Sequence, residues 1–247
     1  MGSVELIVLI VGLAVAGLAK GISGFGLPLI ATPILAGVFG PRMAVSIVTI
    51  PIFAANSLLL VQGFRSRGLL RGLAPLIVTS VIGTAIGTLL LAKLDQSTFA
   101  ILISAMAALF LARGDRLLGD DQDALRARIL GPVVCFLGGV LQGTTSIASP
   151  LVGSYVHARR LRPAEFVFVL AALFEFNSIV QLIGYSLQGL YTPEIVALGL
   201  LAVVPTLLAM GVGIYARGKL NEAVFRKFIV ALVVVAVVNL LWRTFLG

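Results

Sequence analysis

The residues of this chain whose types can do chemistry cluster at two interruptions of apolar sequence. The first is "KGISGFGLP" at 20–28, in which Lys20 is followed by Gly21, Ser23, Gly24 and Gly26 and the stretch ends at Pro28. The second is "QGTTSIASP" at 142–150, in which Gln142 stands where the first has Lys20 and is followed by Gly143, Thr144, Thr145, Ser146 and Ser149 before Pro150. Glycines let a helix unwind and a backbone approach a ligand closely, and proline suits the first turn of the helix that restarts. A restarting helix points free N–H groups and the positive end of its dipole at the break, which is what an anion requires. Ser149 is expected as the N-cap of the second restart, with Ser23, Thr144, Thr145 and Ser146 as candidate donors. The alternative for these hydroxyls is packing: small residues let helices approach and bond back to their own backbone.

Lys20 follows an apolar run of about 16 residues, which at 1.5 Å per residue sets it about 24 Å along its helix. A lysine there either snorkels to an interface or marks a pathway, because charge inside a membrane is costly. Glu175 lies near the centre of another apolar run, with Asn177 two residues on and Gln181 one turn beyond Asn177. A central carboxylate has two readings, a proton carrier or the fixed salt-bridge partner of Lys20. Asn56 and Asn177 read as interhelical glue before they read as ligands. Glu165, near Arg162, reads as an interfacial ion pair.

The chain that must position these groups has 247 residues, is 60% hydrophobic and 11% charged, and has a mean hydropathy of +1.13. Soluble domains carry about 25% charged residues, so this is an integral membrane protein whose solvent is the lipid bilayer. Its net charge of +8 sits in short loops between apolar runs, a topology signal that implies no nucleic-acid partner. The single cysteine, Cys135, rules out an internal disulfide and a cysteine-based zinc site. No metal site or cofactor is expected. The start "MGSVELIVLI" has no basic region and carries Glu5, unlike a cleaved signal peptide, and Leu6 breaks the myristoylation pattern.

Spans of about 20 residues match a hydrocarbon core of about 30 Å, and the sequence predicts four, at 43–63, 72–92, 164–187 and 192–216. Two shorter ones are predicted at 96–112 and 228–242. The regions 4–40 and 129–157 are each too long for one span and are broken near the middle, so they are expected as helix-break-helix hairpins. Laying one break on the other matches Gly21 with Gly143, Pro28 with Pro150, Leu29 with Leu151 and Pro41 with Pro163 at one offset. One residue out of phase, Asn56-Ser57 falls on Asn177-Ser178. The expected fold is therefore an all-α polytopic transmembrane bundle of two inverted repeats, each a broken, re-entrant hairpin plus three spans. The repeats are set at 1–113 and 129–247, with a charged cytoplasmic linker at 114–128.

Basic residues favour the cytoplasmic side. With each hairpin entering and leaving on one face, Arg65, Arg67, Arg71, the linker arginines 113, 116, 126 and 128, Arg159, Arg160, Arg162, Arg217, Lys219, Arg226 and Lys227 all lie inside. Arg42, Lys93 and Arg243 lie outside, and both termini face the periplasm. Discontinuous helices at corresponding positions of two inverted halves are a mark of secondary transporters with a site at the bilayer midplane.

The glycine-rich break ending in proline, its echo "QGTTSIASP" and the charged central linker together resemble the TauE/SafE family of sulfite and organosulfonate exporters over essentially the whole chain. The first break, "GISGFGLP", has fewer consecutive glycines than is usual in that family. The resemblance implies a multi-pass transporter of the bacterial inner membrane that moves small sulfur-containing anions, often outward, without ATP hydrolysis. No Walker motif is present.

Three other readings compete. "GISG" at 21–24 matches the G-x-S-G pattern of rhomboid intramembrane proteases, and Lys20 with Ser23 suggests a Ser-Lys dyad. The histidine base is missing, since the one histidine, His157, adjoins Arg159 and Arg160 in a predicted loop, so the chain is not expected to be an enzyme. A scaffold subunit explains the apolar bulk but not two polar breaks. Proton- or sodium-coupled uptake of a small organic or inorganic anion is the alternative to export. The particular anion and a homo-oligomeric state stay open.

Overall fold

The computed structural model describes residues 2–111, 124–217 and 222–245. Among them every regular element is helical: α1 (Ser3–Ser23), α2 (Leu27–Phe39), α3 (Pro41–Gln62), a 3₁₀ stretch (Phe64–Leu69), α4 (Leu70–Leu91), α5 (Gln96–Leu111), α6 (Ala124–Thr145), α7 (Ser149–Ala158), α8 (Pro163–Leu187), α9 (Pro193–Ala216) and α10 (Glu222–Phe245). The expected all-α bundle is what forms, and each predicted span becomes one helix. The two interrupted regions become the hairpins α1–α2 and α6–α7. Of the linker at 114–128, residues 114–123 lie outside the described residues and 124–128 open α6.

Among the described residues, five segments are long and apolar enough to cross a membrane: α1, α3, Phe64–Leu91, α8 and α9. In hydrocarbon a backbone must satisfy its own N–H and C=O groups, which a helix does. Consistent with that solvent, α9 exposes Leu200, Val204, Leu208 and Val212. Proline opens the first turn of α2, α3, α7, α8 and α9, where its missing N–H is harmless. In the loop before α5, Asp95 accepts hydrogen bonds from the Thr98 hydroxyl and from the backbone N–H groups of Ser97 and Thr98. Those bonds, the Thr98 hydroxyl foremost, hold its carboxyl below the usual aspartate range.

Two close helix pairs frame the bundle. In the first, α1 runs beside α9, Gly17 facing Thr206 and Gly21 facing Met210 and Gly213. In the second, α6 runs beside α4, Gly139 facing Ser80 and Gly143 facing Thr84 and Gly87. A methyl group on Gly21 would stand 2.3 Å from the Met210 carbonyl oxygen, and one on Gly143 equally 2.3 Å from that of Thr84. Without side chains the backbones come into contact, which is the means of helix association where lipid removes the hydrophobic drive. Between these pairs α3 and α8 pack on each other, α3 also on α9 and α8 also on α4.

Candidate functional site

Both breaks are built on the same backbone plan. At the first, Gly24 closes α1 with φ 84° and donates its N–H to Lys20 O at 2.7 Å. At the second, Ser146 takes φ 60° and donates its N–H to Gln142 O at 2.8 Å. The left-handed conformation suits glycine and is disfavoured for serine, and Ser146 is held there with its Oγ accepting from Gln181 Nε2 at 3.0 Å. Gly26, with φ 100°, then starts α2.

Around the first break, Lys20 is 1% exposed and donates from Nζ to Asn56 Oδ1 at 2.5 Å. Lysine can only donate, so this bond fixes the amide: oxygen toward Lys20, nitrogen away. Asn56 Nδ2 is buried with no partner among the described residues. The next residue on α3, Ser57, donates to Glu175 Oε1 at 2.5 Å, and Glu175 Oε2 is likewise buried and without a partner. Lys20 and Glu175 are within Coulombic range, yet they do not pair directly as the salt-bridge reading expects. Each instead bonds one of two adjacent side chains of α3. The carbonyls that end α1, Gly21 O and Ile22 O, accept from the Arg217 guanidinium at 2.7–3.1 Å.

Around the second break the Gln142 and Gly143 carbonyls are held by neutral groups. Gln181 Nε2 reaches Gln142 O at 2.8 Å, and the Tyr185 hydroxyl donates to Gly143 O at 2.7 Å. Gln142 Nε2 donates to Gln181 Oε1 at 3.0 Å. Asn177 and Ser80 bond each other, tying α8 to α4. Both asparagines join helices as the glue reading expects, Asn177 tying α8 to α4 and Asn56 tying α3 to α1 by receiving Lys20.

At the level of single hydroxyls the N-cap expectation is corrected, and Ser23, Thr144 and Thr145 bond locally. Ser149 is not the N-cap of α7: Ala148 holds that position, and the Ser149 hydroxyl is buried with no partner. Thr144 and Thr145 donate back to Val140 O and Leu141 O on their own helix. Ser23 donates to Ala19 O and Phe25 O, making a turn within its own break. Glu165 accepts from the Arg162 backbone N–H at 3.1 Å, capping the start of α8 in place of the expected side-chain ion pair.

The breaks do not converge on one point. A side chain at Gly24 would meet Val167, while Ser146 is bonded to Gln181. Those two contacts are 14 residues apart on α8, or about 21 Å at 1.5 Å per residue. What links the breaks is a polar ladder along α8: Glu175 toward α3, Asn177 toward α4 and Gln181 toward α6. Sequence reasoning missed Ser57, Ser80, Tyr185 and Arg217. Tyr185 had a signal, one helical turn beyond Gln181, and Ser57 had one in the repeat match beside Asn56; Arg217 was counted as a topology charge, and Ser80 had none.

No curated protein and no solved structure matches the chain. The family model described as sulfite exporter TauE/SafE matches residues 8–240, which include both breaks, the Lys20–Asn56 and Ser57–Glu175 contacts, and the whole α8 ladder. With the match running over nearly the whole length of a many-spanned helical bundle, this multi-pass membrane protein belongs to the sulfite exporter TauE/SafE family of transporters.

Proposed function

We propose that the chain is a secondary transporter that exports a small sulfur-containing anion, sulfite or an organosulfonate, across the bacterial inner membrane. One observation carries the site: a buried lysine gives a single hydrogen bond among the described residues, to a neutral amide. An ammonium has three N–H groups, and leaving charge under-compensated away from water is costly. An anion beside Lys20 supplies what the protein does not. An inside-negative potential contributes about 2.3 kcal/mol per charge per 100 mV, so anion efflux runs downhill without a coupling ion.

Matching helix pairs support the inverted arrangement. The pair α1 and α9, which joins the two halves, corresponds to the pair α6 and α4, which joins them again, and the two breaks lie toward opposite ends of α8. With the basic loops inside, both termini are periplasmic. Coupled uptake is favoured by a different observation, the free Oε2 of Glu175, which suits a proton carrier.

Flux of labelled sulfite from proteoliposomes, with and without an imposed potential, tests the reading. Export predicts flux driven by potential alone, unchanged when a pH gradient is removed; flux that requires the pH gradient and is lost in Glu175→Gln supports uptake instead. Lys20→Gln weakens sulfite binding to the purified, monodisperse protein roughly ten- to a hundredfold, the size of a charge-assisted hydrogen bond. Wild-type affinity in that variant removes Lys20 from the site.

A further inference from the structure

Unpartnered atoms around Lys20 have a definite pattern of hydrogen-bonding character. The remaining N–H groups of Lys20 and the free Nδ2 of Asn56 are donors, and with Glu175 ionised beside Lys20 its free Oε2 is an acceptor. Their side chains are 1%, 0% and 8% exposed, so bulk water does not complete them. Asn56 and Ser57 adjoin on α3, one bonded to Lys20 and the other to Glu175, which places both ends of the pattern at one level of the bundle. A fully deprotonated oxyanion satisfies the donors and meets the carboxylate oxygen with repulsion. A sulfonate, R–SO₃⁻, has the same fault, since its head group carries no hydrogen to give.

We propose that the site selects a monoprotonated sulfur oxyanion, hydrogen sulfite in its O–H form, whose oxygens accept from Lys20 and Asn56 while its own O–H donates to Glu175 Oε2. Here Glu175 is a ligand to the substrate's proton and a specificity determinant between sulfite and organosulfonates. The proposal rests on the sulfur-anion reading above. Among the described residues, the other side chains that bond this stretch of α8 from α3, α4 and α6 are neutral: Ser57, Ser80 and Gln142. Lys20 of α1 is the charge within range.

The test is calorimetric binding of sulfite and of methanesulfonate to the purified full-length protein over a pH series. Methanesulfonate has the same charge and a similar head group, but no O–H and no titration near neutrality, so it reports any titration of the protein itself. Sulfite affinity is expected to follow the hydrogen sulfite fraction, falling as that fraction falls. Methanesulfonate is expected to bind about ten- to a hundredfold more weakly, the loss of one charge-assisted hydrogen bond. In Glu175→Gln the amide still accepts from Ser57 and offers an N–H to the ligand, so the preference for sulfite over methanesulfonate collapses and its pH dependence flattens. Equal wild-type affinity for the two anions, sulfite affinity that rises with pH, or full discrimination kept in Glu175→Gln each overturns the inference while leaving anion transport in place. Absence of binding by either anion at every pH overturns the sulfur-anion reading, and this inference with it.

Discussion

At the residue scale, the two asparagines matched by the repeat have parted company. Asn177 exchanges hydrogen bonds with Ser80 across a helix interface, whereas Asn56 holds a buried ammonium and keeps its Nδ2 free. Asn177→Ala is therefore expected to lower unfolding stability by about 0.6–1.7 kcal/mol, the range measured for interhelical hydrogen bonds in membranes, with sulfite affinity unchanged. Asn56→Ala is expected to weaken sulfite binding by about tenfold, because it removes a donor to the ligand and the anchor that aims Lys20. Denaturant unfolding and calorimetry on both variants separate the two roles, and an affinity loss in Asn177→Ala alone reverses the assignment. That Lys20 and Glu175 matter was legible in sequence, since an ionisable group in an apolar run declares itself. That the two bond adjacent residues of α3, Asn56 and Ser57, was not, because the repeat singles out that pair without saying which helices it faces.

At the element scale, the hairpins depend on backbones in contact. Gly21→Ala and Gly143→Ala each put a methyl 2.3 Å from a carbonyl oxygen of the facing helix, and neither backbone can yield without separating the pair. Overpacking of this kind costs about 1–3 kcal/mol, read as a lower unfolding midpoint. Gly211→Ala on α9 is the control, as nothing lies within 4 Å of its added methyl, and its expected change is within about 0.5 kcal/mol. A Gly143→Ala variant as stable as Gly211→Ala would mean that the α4–α6 pair is looser than described. The helices themselves were readable from apolar length and from proline and glycine punctuation. Their ends were less so: Ser149 resembles a cap by type and position, but α7 starts one residue earlier, and the hydroxyl is left buried and unpartnered.

At the scale of the whole molecule, the placement of basic loops predicts which ends of the helices face the cytoplasm. In a Cys135→Ser background, single cysteines at Arg67 and Arg160 are expected to react with an impermeant reagent from the cytoplasmic side, and those at Ser97 and Ser186 from the periplasmic side. Labelling of position 160 from outside would place both halves in the same orientation and remove the inverted arrangement. The same frame gives the ladder on α8 its meaning. Glu175 and Gln181 are six residues apart, or about 9 Å along the axis, so one helix carries polar groups from the charged site toward the neutral one.

Amino-acid sequence by itself determined the solvent, the helices and the two breaks, and through them the family, because apolar run length and the positions of glycine, proline and charge are local properties that lipid reads directly. Tertiary structure decided which atoms remain free. Lys20 and Asn56 are 36 residues apart, Ser57 and Glu175 118, and Arg217 and Gly21 196, so each pairing exists only once the helices have packed. The separation of the breaks by about 21 Å along α8 is of the same kind. Two similar motifs announce two similar turns, but the distance between them is set by which helices the glycines allow to touch.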